Sequence, residues 1–461
     1  MSHTLRPRLL LLILVAAGCS EGSSTTLAIP PDAVDLADAV VLNDPETTSM
    51  DVEPGPGDGD DVVPVTDVEM PPDTTDQPDI SDVTEPDVTT DATGPDTNSE
   101  DVATPACLTL SPSHPRHVVL SMPYDQASQK ADVWQLRPLL EGGALGEPTA
   151  TFEMGRATFG VVSFRADGAV GAVAQENGSI GIFSVADDGS VEVIAPKFEP
   201  DLYAETVEFN ATGDTLYVVD PNWVENGGGI YTVAVGCDGK PGAVELLFES
   251  KLALAALPSP GRFLVAARSV ENSQVGQLHL TSESGEVLAS ATVFEDLDDI
   301  MASFTVTQDR KYALVGDYSE FSGLDNRIGA IRIDGDTLTA TQVVSPILDP
   351  VSMVTSPFGD AILVVSGYGN GVRVLGYEPA NTTTPFVDLG EPLYAGASPK
   401  LPSSAVLVEG AQSELTGLVL IVENTAVRRM RFLGDKKVKD LGTTAEGSGV
   451  ESIPGAIGVQ P

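Results

Sequence analysis

Between Gly160 and Gly367 one pattern returns at a nearly fixed interval: an apolar strand, a turn built on Gly or Asp, then a second apolar strand. It reads GVVSFRADGAVGAVAQ from Gly160 and ETVEFNATGDTLYVVD from Glu205. It recurs as ALAALPSPGRFLVAAR from Ala253, ASFTVTQDRKYALVGD from Ala302 and SMVTSPFGDAILVVSG from Ser352, with a looser copy from Ser404. With Gly168, Gly213, Gly261, Asp309 and Gly359 as turn markers, the steps are 45, 48, 48 and 50 residues. An all-strand repeat of that length is the mark of a β-propeller blade. A third strand follows in most units, as in GGIYTVAVG and IGAIRIDG, and then an outer one, as in VELLFES and LTATQVV. No capped amphipathic helix of ten residues interrupts them. A pair of β-sandwiches or a β-solenoid would account for the strands less well.

Six units account for all but the two ends of this half. HVVLSMPYDQ at His117 reads as a second strand with no first strand before it, and PGAIGVQP, Pro454 to Pro461, as a first strand with nothing after it. Joined, they make a seventh unit. Pairing the C-terminus into the first blade would remove the two open sheet edges of an unclosed array. The expectation is an all-β, seven-bladed β-propeller over residues 107–461, six to eight blades being compatible with the irregular copy at Ser404.

The preceding residues cannot share that core. Residues 19–106 hold 23 Asp and Glu, no Lys or Arg and no aromatic residue, so about half of the chain's net charge of -44 lies there. Such a segment buries too little apolar surface to offset its ordering entropy and reads as a disordered acidic linker. GDGDD at Gly57 lacks the spaced ligands of a calcium loop. The acidic balance excludes nucleic acid as a partner and charge-driven docking on an anionic membrane. Residues 1–18 have Arg6 and Arg8 before a short apolar run, Leu9 to Ala17, about half of what a membrane span needs.

Residues 1–18 with Cys19 resemble a bacterial lipoprotein signal, Ala16, Ala17 and Gly18 standing before Cys19, with Ala16 where Leu is usual. The resemblance implies cleavage before Cys19, lipid attachment to its thiol and a membrane partner reached through that anchor. Ser20 in place of Asp implies the outer membrane of the cell envelope. Residues 107–461, through the S-P-x-G turn with its apolar strands and NGVRVLGYE, resemble the YVTN/lactonase-like seven-bladed propellers of bacteria. Lactonase relatives would place ionisable residues around the central mouth; no motif here matches theirs position by position.

Two further cysteines, Cys107 and Cys237, sit in an exported compartment where a pair can bridge, and spacing alone leaves a disulfide and two free thiols both open. Four histidines without ligand spacing, and no Cys-x-x-Cys, point to no metal and no cofactor. No G-x-S-x-G elbow or phosphate-binding loop occurs. The loops between second and third strands are rich in polar and aromatic residues. They bring Asp220, Asn222, Trp223, Asp317, Tyr318, Phe321, Tyr368 and Asn370 toward one face, a candidate ligand face for a protein or an envelope polymer. Glu176-Asn177 and Glu423-Asn424 stand at the matching point of other units. The residues therefore read as a lipid-anchored binding or scaffold protein; the alternative is a lactonase-like hydrolase acting at the central mouth.

Overall fold

The computed structural model describes residues 107–461, apart from 112–113, 126–129, 159, 222–227, 250–252, 260, 270–274, 297–299, 319–325, 348, 368, 370, 410–413 and 446–454. The signal, Cys19 and the acidic linker lie outside the described residues.

Seven four-stranded antiparallel sheets form a β-propeller. Blade 1 takes β1 (His117–Asp125), β2 (Lys130–Pro138) and β3 (Ala150–Glu153). Blade 2 is β4 (Ser163–Phe164), β5 (Val170–Ala174), β6 (Ile180–Val185) and β7 (Val191–Phe198). Blade 3 is β8 (Thr206–Phe209), β9 (Thr215–Asp220), β10 (Gly229–Val235) and β11 (Pro241–Glu249). Blade 4 is β12 (Ala253–Ser259), β13 (Arg262–Arg268), β14 (Gly276–Ser282) and β15 (Val287–Phe294). Blade 5 is β16 (Ile300–Val306), β17 (Tyr312–Tyr318), β18 (Arg327–Asp334) and β19 (Thr337–Val344). Blade 6 is β20 (Pro350–Thr355), β21 (Ala361–Ser366), β22 (Gly371–Tyr377) and β23 (Phe386–Asp388). Blade 7 is β24 (Ala405–Leu407), β25 (Leu418–Val422), β26 (Val427–Gly434) and β27 (Lys437–Thr444). Within each blade the strands run A to D from the centre outward.

The last strand, β28 (Ile457–Val459), is the missing strand A of blade 1. It lies antiparallel to β1 with Val118 opposite Val459, Val119 opposite Gly458 and Leu120 opposite Ile457. Its other side meets blade 2, where the Val162 N–H donates to the Ile457 carbonyl at 2.8 Å. Only glycine fits at position 458, since a Cβ there would come within 2.5 Å of the Val162 Cβ. Gln460, with no exposed surface, locks the joint. Its Oε1 accepts from the His117 N–H and faces His117 Nδ1, each at 3.1 Å, and its Nε2 donates to the Gly168 carbonyl of blade 2 at 2.9 Å.

Strand pattern explains why the blades stack. The middle strands are buried on both faces, so they are continuous apolar runs rather than alternating ones. Val118, Leu120 and Met122 of β1 pack toward blade 7, while Val119 between them packs toward blade 2. Every neighbouring pair of blades, around the full circle, shares an apolar cluster of this kind. Fully burying one such side chain contributes about 1.5–3 kcal/mol.

The turn between strands A and B needs a residue at positive φ, which glycine supplies without steric cost. Gly168, Gly213, Gly261 and Gly359 do so at φ 73°, 76°, 73° and 68°. In blade 5 the residue in that conformation is Arg310, at φ 55°, one position beyond the Asp309 marker read from sequence.

Candidate functional site

A propeller has two loop faces. One carries the B–C loops with the blade-to-blade connections, the other the A–B and C–D turns. The end of each strand B reaches the first face, and the turn register puts a polar residue there. Gln175, Asp220, Asp317 and Ser366 each stand seven residues after the positive-φ turn residue of their blade, and Glu423 occupies the matching place in blade 7. All five are buried.

Gln175 is held within its own blade, Asp220 and Glu423 also accept from the connections between blades, and Ser366 Oγ is buried with no partner among the described residues. The Ser179 hydroxyl donates to Gln175 Oε1 at 2.5 Å, and Gln175 Nε2 donates to the Pro196 carbonyl. The Tyr203 N–H donates to Asp220 Oδ2 at 3.3 Å. Arg327 Nε donates to Asp317 Oδ2 at 2.9 Å, and the same guanidinium reaches Asp296 at 3.0 Å and lies 4.8 Å over the Phe294 ring. In blade 7 the buried Arg428 bridges Glu423 and Asp440 and donates to the Ala397 carbonyl. The N–H groups of Ala395 and Lys400 donate to Asp440 and Glu423, so this charge cluster binds down the strap that leads into blade 7. Burial pushes the Glu423 carboxyl up, against the pull of Arg428.

Of the face read from sequence, Asp220 and Asp317 are therefore placed, and neither carboxylate is open to solvent. Asn222, Trp223, Phe321, Tyr368 and Asn370 lie outside the described residues, as does the side chain of Tyr318. Glu176 is paired with Arg156 at 3.2 Å, and Asn177 accepts from Ser179.

On the opposite face the inner strands of blades 5, 6 and 7 end around a cavity of about 940 Å³. Arg262, Arg310 and Glu409 supply its charge, Thr305, Thr355 and Ser356 its hydroxyls, and Leu264, Ile333 and Val408 apolar wall. Arg262 is fixed by the Gly335 carbonyl and by Asp336, both at 2.8 Å. Sequence reading missed this site because four blades contribute to it.

The first described residues cross this same face. Cys107 forms a disulfide with Cys237 of the C–D turn of blade 3, their Cα atoms 4.7 Å apart. The Leu108 N–H donates to the Cys237 carbonyl, and Arg165 of blade 2 donates to the carbonyls of Leu108 and Cys237.

Glu208 is a second residue that sequence reading passed over. Val207 and Phe209 pack into the seam between blades 2 and 3, so Glu208 turns the other way, toward blade 4. It stands opposite Tyr217, whose ring meets Phe263 of blade 4 edge-on at 4.6 Å. Among the described residues no hydrogen bond or ion pair reaches its carboxyl, and burial pushes it up to about 7. The signal available was one acid inside the apolar inner strand TVEF.

No protein-family model matches the chain, and no curated protein matches it in sequence. Solved structures do match in fold. One is a putative 6-phosphogluconolactonase from Bacteroides fragilis, 13% identical, covering 76% of this chain and 99% of its own, with a TM-score of 0.54. Another is a periplasmic gluconolactonase from Pseudomonas aeruginosa, 13% identical over 75% of this chain and 99% of its own, TM-score 0.52. The solved neighbours are lactonase-like propellers. At this identity the likeness shows the fold alone, and function lives in sites grafted on folds. Among the described residues no group of three His, Cys, Asp or Glu is arranged to hold a metal ion.

Proposed function

We propose that this chain is a lipid-anchored binding or scaffold protein of the cell envelope, whose propeller presents its B–C loop face to a protein or polymer partner. The observation that carries this reading is how the charged side chains at the ends of strands B are used. Asp317 and Glu423 are tied to Arg327 and Arg428 of their own blades, which stiffens the face. Loops carried on a rigid scaffold suit recognition. The strap from Cys107 lies on the other face, fastened by its disulfide to Cys237.

The test is made in intact cells with the full chain. Crosslinking should capture a specific partner, and Trp223→Ala should lose it; capture unchanged by Trp223→Ala and Tyr318→Ala together would remove the B–C face from the account. Cys19→Ala should release the protein from the membrane fraction, and continued sedimentation would refute the anchor.

The cavity favours a second reading, a lactonase-like hydrolase at the central mouth, because Arg262, Arg310 and Glu409 all line it. Turnover of gluconolactone by the purified chain, abolished by Glu409→Gln, would establish it; no turnover would dismiss it for that substrate.

A further inference from the structure

Six of the chain's 24 Lys and Arg fall within residues 428–439, a stretch whose one acid is Asp435. The domain around them is acidic, with 45 Asp and Glu against 22 Lys and Arg over residues 107–461. Two of the six are answered, Arg428 by Glu423 and Asp440 and Lys436 by Glu378. Arg429, Arg431, Lys437 and Lys439 form no ion pair among the described residues, and Asp435 pairs with none of them.

Strand register puts these four on one side of blade 7. Residues directly opposite in an antiparallel pair share a side. Arg429 and Arg431 of β26 stand opposite Leu420 and Leu418 of β25, which pack into the apolar cluster shared with blade 1. Arg431 also stands opposite Lys439 of β27, and Lys437 is the next residue of β27 on that side. Met430, Phe432 and Val438 point the other way, into the cluster shared with blade 6. The lysines are exposed and the arginines half-buried. Arg429 Nη2 donates to the Leu441 carbonyl at 2.9 Å, which leaves its charge unanswered. Nε of both arginines is buried without a partner among the described residues.

This arrangement works against the fold. Like charges directly opposite across two strands repel, and Arg431 and Lys439 stand in that relation. Lysines on an outermost strand can guard its edge against aggregation. Arginines on the strand inside it add nothing to that guard. Elsewhere the chain sets an acid beside its arginines, as with Arg262 and Asp336 or Arg327 and Asp317. A block of unanswered cations in an acidic domain is a surface that an anionic ligand would relieve.

The spacing points to the kind of ligand. Along a strand, side chains on one side recur about every 7 Å. An extended peptide repeats on the same interval, so acids at every second position meet Lys437 and Lys439, or Arg429 and Arg431, in step. Adjacent acids would turn to opposite sides. Guanidinium groups add forked hydrogen bonds to carboxylates.

We propose that the side of blade 7 formed by Arg429, Arg431, Lys437 and Lys439 binds an extended acidic peptide segment of a partner protein, with Asp or Glu at alternate positions. This surface is separate from the B–C loops and does not depend on what they bind.

Fluorescence anisotropy with the full chain tests it. The probe is fluorescein-labelled Thr-Glu-Thr-Glu-Thr-Glu-Thr with an amidated C-terminus. It is compared with the same peptide carrying Gln for Glu, and with Glu-Glu-Glu-Thr-Thr-Thr-Thr. The alternating acid should bind saturably, about tenfold more tightly than the Gln peptide, and weaken as salt rises. It should also bind about threefold more tightly than the blocked acid, whose neighbouring carboxylates point apart. Arg431→Gln with Lys439→Gln should weaken binding about tenfold while the melting temperature stays unchanged or rises, because a repelling pair is gone. Lys197→Gln, a cation of blade 2, should leave binding unchanged. Absence of saturable binding, equal binding of the three peptides, or wild-type affinity in the Arg431→Gln, Lys439→Gln variant would overturn the proposal. Displacement by polyphosphate at a lower concentration of charge than unlabelled peptide would give the surface to a phosphate polymer and also overturn it. So would self-association of the chain that the peptide reverses, which would give the surface to a second copy.

Discussion

Glu208 holds a half-buried carboxyl on the side of blade 3 that faces blade 4, and among the described residues no cation answers it. Its proton affinity is raised from an ordinary 4.5 to about 7, so the folded chain keeps a proton there that the unfolded chain has lost. Stability therefore falls as pH rises from about 4.5 to 7 and stays reduced above that range. Glu208→Gln should add about 2 kcal/mol at pH 8 and nothing measurable at pH 4, read from chemical denaturation at the two values. Equal effects at both would mean that the carboxyl is not desolvated. His117 acts in the opposite sense. Burial holds its imidazole below the usual 6.5, so protonation on acidification opposes the fold. Residue-scale detail was the least legible part of the sequence. Asp309 looked like a turn marker because Asp is a turn former, whereas the positive φ falls on Arg310, a residue that no turn rule suggests. Glu208 looked like one polar position in a strand, because only the neighbouring blade decides whether that side faces water.

At the scale of elements, the C-terminal strand closes the ring and the N-terminal strap fastens across it. Deleting residues 454–461 would leave β1 an open edge and uncover apolar surface in the seams on both sides of blade 1. The expected loss is about 5 kcal/mol or more, or failure to fold, seen in the melting transition; an unchanged curve would contradict closure. Replacing Cys107 and Cys237 with Ser frees a linkage that spans 130 residues. It should cost about 2–4 kcal/mol in denaturant titration, and no change would show that hydrogen bonds alone hold the strap. The strands and the half-unit at the end were legible because blades repeat their turn chemistry. The Cys107–Cys237 pair was legible as a possible disulfide, but its bridging was left open, because the two come together only through the closure of two intervening blade seams. Blade 7 was read only loosely, since β24 has three residues and its A–B connection is longer than the others.

Over the whole molecule, closure gives each blade two neighbours and pairs the edge of β1 that an open array would leave exposed. It also fixes two unlike faces. One holds the buried acids at the ends of strands B; the other holds the strap, the cavity and its arginines. The sequence could show that such a ring exists, because a period is a one-dimensional property. It could not show the cavity, whose wall is assembled from residues as far apart as Arg262 and Gly417. All of this rests on the two ends of the described chain sharing one sheet. Hydrogen–deuterium exchange of the native chain, followed by mass spectrometry of the peptide covering residues 455–461, measures that directly. The account predicts that this terminal peptide exchanges as slowly as β1 and β5, since the Ile457 and Gln460 amides donate into blade 2 and blade 1. Exchange complete within seconds would show that the strand is not in the sheet.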